Sequence, residues 1–223
     1  MFVKKVFKHI PEKISLVEPD VETTDSGRFY SIEGEALPSV TTVTGWKKRK
    51  FFAEWRSRNK KESGRVTRRG NKLHAIIESY INNEDIKLVD LPPLECELFL
   101  QLKPELDMID NVVALEVPLW SKKIGLAGRV DCIAEHDGQL AIIDFKGSTR
   151  DKKEEHVDNY MMQATAYALM WEDETKQKID KFKILVSCET GKIQVFSGYT
   201  KNWVKPLIKE IQDYRIECMV HRT

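Results

Sequence analysis

The chain has 223 residues and a nearly neutral balance of charge, with 36 Lys and Arg against 35 Asp and Glu. A chain of this length is expected to form one domain of ordinary size, whose core needs no disulfide or structural metal for stability. The bulk charge neither supports nor excludes a nucleic-acid partner, so the placement of the charges along the chain carries more information.

The first third of the chain is predicted to form short strands and turns followed by helices. A turn at Thr24–Gly27 leads into a strand at Arg28–Ile32, and Ser39 marks the start of a helix. The β-branched residues that follow Ser39 work against that helix. Apolar residues then recur at helical spacing in two amphipathic helices, Phe51–Lys61 and Arg65–Ile81.

The segment between Lys47 and Lys72 is strongly basic. It holds twelve Lys or Arg against two acidic residues, and four aromatic residues are interleaved with its start: Trp46, Phe51, Phe52 and Trp55. Such a segment can neutralise phosphates and offer stacking surfaces to unpaired bases. A lysine-rich helical face that only contacts solvent is the alternative.

The rest of the chain is predicted to form a helix, three strands, a helix, two strands and a closing helix. The predicted bounds are Pro93–Asp107, then Val112–Trp120, Ala127–Glu135 and Leu140–Lys146, then Glu154–Trp171, then Lys181–Cys188 and Lys192–Phe196, then Asn202–Val220. The second and third of these strands carry apolar residues on both faces, which predicts a central sheet covered by helices on both sides.

The four cysteines, at positions 96, 132, 188 and 218, are widely spaced and form no Cys-x-x-Cys pattern. This usage is typical of reduced, mostly buried thiols in an intracellular protein. The apolar run at the N-terminus is too short for a signal peptide, and no later segment is apolar enough to span a bilayer. We therefore expect a soluble, cytoplasmic protein that does not bind membranes.

An Asp137-Gly138 dipeptide between two apolar segments predicts a β-hairpin with a two-residue loop. Counting outward from that loop places Asp131 opposite Asp144, with Arg129 opposite Lys146. Two carboxylates that face each other across a ladder repel, and a divalent cation between them removes the repulsion. Lys146 shares a strand face with Asp144 because strand side chains alternate with period two.

Two carboxylates and a lysine on one strand face therefore predict a site for metal-assisted phosphodiester hydrolysis. Asp131 and Asp144 are the predicted ligands of Mg²⁺ or Mn²⁺, which take oxygen donors, and the peptide carbonyl of Phe145 adds another. Lys146 is predicted to orient and help deprotonate the attacking water or to offset charge on the phosphate. The alternative is that both aspartates merely terminate strands.

Five ordered pieces of the chain resemble the RecB-like exonuclease branch of the PD-(D/E)XK nuclease superfamily, over residues 70–167. They are Gly70-Asn71-Lys72-Leu73-His74, Glu116, the Gly-x-x-Asp that ends at Asp131, Asp144-Phe145-Lys146, and Gln163-x-x-x-Tyr167. One departure is Gly147, which follows the lysine where the family pattern leads us to expect Thr.

The resemblance implies an α/β fold with a restriction-endonuclease-like core, in which helices flank both faces of a central mixed sheet. It also implies a single nuclease domain over residues 1–223. Within it, residues 1–62 form N-terminal strands and a basic helical segment, residues 63–200 the catalytic core, and residues 201–223 the C-terminal helix.

The resemblance adds two further residues to the expected site. His74 is expected to bind metal, and its imidazole suits Mn²⁺ better than Mg²⁺. A helix histidine with no special role is the alternative. Glu116 is expected to act with the catalytic set of Asp131, Asp144 and Lys146, directly or through water, because a carboxylate in an apolar strand needs a partner. A glutamate that faces solvent from an edge strand is the equally good alternative.

Several residues are expected to contact DNA. Gln163 and Tyr167 lie one turn apart on a helix, and the matching residues of relatives hold the site and contact DNA. Arg129 is a candidate phosphate ligand. The basic segment and the helix after it supply the others: Trp46, Arg65, Arg69 and Lys72.

The expected activity is that of a metal-dependent DNA exonuclease, acting on single strands or on DNA ends and leaving a 5′-phosphorylated product. A structure-specific endonuclease on the same scaffold and a catalytically weak DNA-binding accessory of recombination or replication are the alternatives. The chain contains no Gly-x-x-x-x-Gly-Lys-[Ser/Thr] motif. It is therefore expected to act without ATP or beside a helicase or another replication or recombination protein.

Two further expectations come from family context. Some RecB-like relatives hold an iron–sulfur cluster on a cysteine set near the chain ends, and this chain has no such set, so no cluster is expected. The small size and the lack of a motor suit a bacterial or phage protein.

Overall fold

A computed structural model describes residues 5–11 and 17–220 of the chain. Three short strands form one antiparallel sheet, and a second sheet of five strands lies among the helices. The small sheet consists of β1 (Asp20–Thr24), β2 (Gly27–Ile32) and β3 (Glu35–Pro38). The elements that follow are α1 (Val40–Gly45), α2 (Arg49–Arg58), α3 (Lys60–Ile81), α4 (Pro93–Leu106), β4 (Ile109–Ser121), β5 (Leu126–His136), β6 (Gln139–Ser148), α5 (Asp158–Thr175), β7 (Lys181–Cys188), β8 (Ile193–Tyr199) and α6 (Val204–Val220).

The large sheet is mixed and has the strand order β4-β5-β6-β7-β8. Neighbouring strands are antiparallel except β6 and β7, which are parallel because α5 crosses over between them. Both faces are covered, as predicted. Helices α1, α5 and α6 pack on one face around Trp171 and Ile142, and α3 and α4 pack on the other around Leu73 and Phe145. The predicted restriction-endonuclease-like fold class is confirmed.

The predicted hairpin is confirmed at its loop and for most of its length. Asp137 and Gly138 have φ angles of 54° and 70°, which is the geometry of a type I′ turn. The ladder runs from His136–Gln139 to Cys132–Ile143 in the predicted register. It ends there, because β6 continues beside β7 while β5 continues beside β4.

The predicted pairings of Asp131 with Asp144 and of Arg129 with Lys146 are therefore wrong: the ladder stops before both, and Arg129 pairs with Pro118 on β4. The two strands separate at the position of the two aspartates. Asp131 and Asp144 thus lie at the start of an opening in the sheet rather than within a continuous ladder.

Two helix predictions differ from the structure in their bounds. The break between α2 and α3 falls at Asn59, which leaves the helical region with φ −126° and ψ 46°, and α3 begins at Lys60 rather than at Arg65. Helix α5 begins at Asp158, because residues 154–156 form a separate 3₁₀ turn. The start of α1 is as predicted. The Oγ of Ser39 accepts a hydrogen bond of 3.0 Å from the Thr42 amide and offsets the β-branched sequence.

None of the helices within residues 5–11 and 17–220 is both long and apolar enough to cross a bilayer.

Candidate active site

A cleft of about 580 Å³ lies where β5 and β6 separate, beneath α3. Most of the residues singled out from the sequence line it, namely Arg69, His74, Glu116, Arg129, Asp131, Lys146, Gln163 and Tyr167. The end of a paired ladder leaves backbone and side-chain polar groups free to face a ligand. The sequence motif and the cleft therefore coincide.

His74, Glu116 and Asp131 bring three potential ligand atoms together, all within 4.8 Å of one another. The Nδ1 of His74 lies 3.7 Å from Oδ2 of Asp131 and 3.9 Å from Oε1 of Glu116. These side chains come from α3, β4 and β5, so the group depends on the packing of a helix against two strands. Two carboxylate oxygens and one imidazole nitrogen form a donor set that suits Mn²⁺, and with water ligands Mg²⁺.

The carboxylate of Asp131 is fixed by the neighbouring strand. Its Oδ2 accepts a hydrogen bond of 2.9 Å from the backbone N–H of Phe145, the residue between Asp144 and Lys146. This bond replaces the ladder at the point where the strands separate. It holds the carboxylate of Asp131 against the backbone of Phe145.

Glu116 has an unusual backbone. Its φ angle is 50°, in the left-handed region that a glutamate rarely adopts, and the ladder resumes on either side with Leu115–Cys132 and Val117–Val130. Such a conformation costs about 1–3 kcal/mol and persists only where the surroundings impose it. Strain of this kind clusters at functional sites, and here it places the glutamate beside Asp131. The sequence left two interpretations of Glu116 open, and the structure brings it into the site.

Asp144 and Lys146 form a buried ion pair at the edge of the cleft. Lys146 Nζ lies 2.5 Å from Oδ2 of Asp144, a residue that is 1% exposed. Within the described part of the chain, both carboxylate oxygens of Asp144 are buried without a hydrogen-bond partner, although Oδ2 belongs to this ion pair. A carboxylate oxygen left in this state is costly, which fits a group that shares a cation with its neighbours.

Burial raises the pKa of Asp144 and the charge of Asp131 adds to that rise, while Lys146 opposes it. For Lys146, burial and the neighbouring carboxylates act on the pKa in opposite directions. Burial lowers the pKa of its ammonium group, but the charges of Asp144 and Asp131 outweigh burial and raise the pKa overall. Lys146 is therefore a protonated, positively charged group at neutral pH in this arrangement.

The carboxylates of Asp131 and Glu116 affect the pKa of His74. Burial lowers the pKa of its imidazole, yet the charge of Asp131 and the nearby carboxylate of Glu116 raise the pKa to about 9. The protonated imidazole compensates the two negative charges in the structure without a cation. A divalent cation would take over that role, and its binding would release the proton.

Helix α5 presents one face to the cleft. Gln163 and Tyr167 are both buried, and the Gln163 amide lies 3.5 Å from the Tyr167 hydroxyl. Tyr167 also packs against the backbone of Gly128, where an added Cβ would lie 2.9 Å from its ring. Burial, with the charges of Asp131 and Asp144, raises the pKa of Tyr167 well above its ordinary value, so the hydroxyl keeps its proton.

Of the other residues predicted to contact DNA, only Arg129 and Arg69 line the cleft. Arg129 donates to the Glu116 carbonyl and contacts Glu18, so it supports the strained glutamate. Arg69 is 2% exposed and bonds to protein groups. Arg65 pairs with Glu62 and Glu189.

Two further predicted contacts lie elsewhere. Lys72 is exposed on α3 and does not line the cleft. Trp46 lines a second groove, of about 550 Å³, between β3, α1 and α6. The neighbouring Lys47 forms ion pairs with Glu210 and Asp213 of α6. The start of the basic segment is thus packed against the protein instead of the cleft.

Sequence reasoning missed two residues at the site. The ring of Tyr160 lies 5.5 Å from Lys146 Nζ, close enough for a cation–π contact. Its spacing from Gln163 and Tyr167, three and seven residues, is a helical pattern that marks one face of α5 and was a usable signal. Glu189 pairs with Arg69 from a turn 120 residues away, and no local pattern points to it.

A family model of the PD-(D/E)XK nuclease superfamily matches residues 48–191 of the chain. This range contains every element that contributes to the cleft except the small N-terminal sheet and the residues just after it.

Two curated relatives are the mitochondrial genome maintenance exonuclease 1 of Mus musculus and that of Homo sapiens. They are 26% identical over 148 residues and 28% identical over 135 residues. These matches cover 60% and 54% of this chain, but 44% and 39% of the relatives. The chain therefore spans less than half the length of the curated relatives it matches.

Among solved structures, one from Eubacterium rectale, provisionally named an exonuclease, aligns with a TM-score of 0.47 at 10% identity. The alignment covers 69% of this chain and 66% of that one.

Proposed function

This chain belongs to the PD-(D/E)XK nuclease superfamily, and we propose that it is a metal-dependent DNA exonuclease. The observation that carries the proposal is the convergence of His74, Glu116 and Asp131 beside the buried Asp144–Lys146 pair. Carboxylates that repel one another and a charged lysine have no structural benefit at the end of a ladder. Together they form a place for a cation and for the phosphate that the cation binds.

We assign the residues roles that follow from their positions. His74, Glu116 and Asp131 would hold a divalent cation, Mn²⁺ in preference to Mg²⁺ because one donor is an imidazole, and Asp144 and the carbonyl of Phe145 would add further oxygen donors. Such a cation supplies Lewis-acid activation of water and of the phosphodiester. Lys146 orients the attacking water and offsets charge that builds up on the phosphate.

The tyrosine and glutamine of α5 complete the wall of the cleft. Tyr167 keeps its proton and donates to a phosphate oxygen, and Gln163 positions that hydroxyl. Tyr160 holds the Lys146 ammonium group in place from the same helix face.

We propose that the substrate is single-stranded DNA or the end of a duplex. Helix α2 has no buried residue, and its Phe51 and Phe52 rings, 66% and 45% exposed, pack edge to face at 5.4 Å. Exposed aromatic rings among Arg and Lys suit unpaired bases, which stack, better than paired bases, which are already stacked. The names of the two relatives, both exonucleases, point in the same direction.

The experiment that tests the proposal is digestion of end-labelled single- and double-stranded oligonucleotides with Mg²⁺ or Mn²⁺, beside a closed circular single strand. An exonuclease degrades the linear substrates and leaves the circle intact. Cleavage of the circle instead identifies the endonuclease on the same scaffold.

Two variants separate an active enzyme from a DNA-binding accessory of replication or recombination with a vestigial site. Asp144→Asn and Lys146→Ala should each abolish cleavage while DNA binding is kept. If both variants cut at the wild-type rate, the assignment of this site is wrong.

A further inference from the structure

Arg69 was expected from the sequence to bind DNA, but its surroundings indicate a different role. Its side chain is 3% exposed, whereas a phosphate-binding arginine has to reach solvent. One Nη donates to the carbonyl of Gly147 at 3.0 Å. The other donates to Oγ1 of Thr149 at 3.2 Å and contacts the carboxylate of Glu189.

Glu189 is itself attached to the end of the lysine strand. Its backbone N–H donates a hydrogen bond of 2.9 Å to the carbonyl of Ser148. Its carboxylate also accepts a hydrogen bond of 2.9 Å from the guanidinium of Arg65. The guanidinium of Arg69 thus joins three segments: α3, the end of β6, and the turn between β7 and β8. We call Arg69, Gly147, Thr149 and Glu189 the α3–β6 junction.

The departure from the family pattern at Gly147 has its physical cause in this junction. A Cβ built at Gly147 would lie 3.3 Å from Cδ2 of Leu73 and 3.4 Å from Nε of Arg69. The first distance is tighter than an ordinary contact, so a larger side chain at this position requires the side chain of Leu73 to shift by a few tenths of an ångström. The glycine lets the helix approach closely enough for Arg69 to reach the backbone.

The junction lies between two parts of the proposed site. Gly147 directly follows Lys146, and Leu73, which packs on Gly147, directly precedes His74. Of the three ligand residues, His74 alone comes from a helix, so its distance to Asp131 and Glu116 depends on how α3 sits on the sheet. The junction is a polar contact close to both parts that fixes this placement.

We propose that Arg69 and Glu189 form a positioning pair, which sets the separation of His74 from Asp131 and Glu116 and does not bind DNA. The proposal rests on the metal-site assignment of the proposed function. An arginine is required because its planar fork bonds to the Gly147 carbonyl and to Glu189 at once, which a lysine cannot do.

The test compares Arg69→Met and Arg69→Lys with Arg68→Met, which removes an exposed charge one residue earlier on the same helix. Mn²⁺ affinity is measured by titration of each folded protein, and DNA affinity is measured over a range of salt concentrations without divalent cation. Both Arg69 variants should lose about tenfold or more in Mn²⁺ affinity, as for residues that orient metal ligands. Arg68→Met should keep the wild-type Mn²⁺ affinity.

DNA binding provides the readout that a phosphate contact would move. In Arg69→Met the slope of affinity against salt should stay at its wild-type value, whereas loss of a phosphate contact lowers that slope by about 0.7 for a single strand. If Arg69→Met does not fold, Arg69→Lys, which keeps the buried charge, carries the test. Wild-type Mn²⁺ affinity in both variants, or in the lysine variant alone, overturns the proposal.

The failure of this proposal differs from failure of the proposed function. A wild-type protein that binds Mn²⁺ but cleaves no DNA overturns the exonuclease and leaves the positioning pair supported by the titration. A wild-type protein that binds no Mn²⁺ overturns both.

Discussion

Helix α2 and strand β5 differ strongly in how far their residues are buried. Every residue of β5 is buried or half-buried, whereas no residue of α2 is buried. The strand carries Asp131, whose carboxylate is fixed by a backbone hydrogen bond, and the helix carries exposed aromatic and basic side chains. Chemistry that needs precise distances lies on the rigid element, and contacts that accept any base sequence lie on the exposed one.

The largest expected effect is a loss of catalytic rate without a loss of DNA affinity. Lys146→Met should lower kcat by about 10²–10³-fold, because it removes the positive charge proposed to offset charge on the reacting phosphate. DNA affinity without divalent cation should change little, since the basic residues and the exposed rings of α2 are proposed to supply most of the binding. Single-turnover cleavage and a binding titration on the same protein measure both. An unchanged kcat would show that the lysine is not part of the reaction.

The second prediction concerns stability. Leu73 is fully buried between α3 and β6, so Leu73→Ala should lower the free energy of unfolding by about 2–5 kcal/mol. Phe51→Ala on the exposed helix should lie within about 0.5 kcal/mol of the wild type. Denaturant unfolding of both variants makes the comparison, and an equal loss in both would mean that α2 is packed rather than exposed.

The third prediction is a loss of DNA affinity without a loss of kcat. Phe51→Ala with Phe52→Ala should weaken single-strand affinity by about 1–3 kcal/mol for each base that loses its stacking partner. At saturating DNA, kcat should be kept. Val89→Ala, at an apolar residue that is 91% exposed on another surface, is the matched control and should change neither quantity. Equal affinities in all three proteins would remove α2 from the binding surface.

The smallest expected effect is a dependence of stability on pH. His136, at the end of β5 opposite the cleft, is 1% exposed, and its Nε2 lies 3.3 Å from Glu105. Burial and the charge of Lys183 lower the pKa of His136, although Glu105 and Asp137 oppose them.

The sign of the effect follows from where the proton binds. Below about pH 6.5 the unfolded chain takes up a proton on this histidine and the folded chain resists it, so stability falls on acidification. The loss between pH 7 and pH 5 should therefore be smaller in His136→Gln than in the wild type. Equal losses in the two proteins would contradict the lowered pKa.

The sheet and the motif residues could be predicted because their signals are local. The Asp137-Gly138 turn fixes the register of the hairpin, and alternation fixes which side chains share a face. The same reasoning failed beyond Cys132, because the place where two strands separate depends on their other neighbours, β4 and β7. The left-handed backbone of Glu116 is likewise imposed from outside its own segment.

The basic segment was harder to interpret for the same physical reason. A run of positive charge predicts phosphate contacts only if the charges lack protein partners. Lys47 has partners on α6, and Arg65 and Arg69 have one at Glu189, all distant in sequence. Charge counting therefore could not tell the exposed residues of α2 from residues that are paired inside the protein.

The central claim is that a divalent cation binds where His74, Glu116 and Asp131 converge. The most direct measurement is anomalous scattering from a crystal soaked in Mn²⁺. One peak is expected within bonding distance of all three side chains, and it should be lost in Asp131→Asn. A map without a peak there, or a peak that persists in the variant, would contradict it.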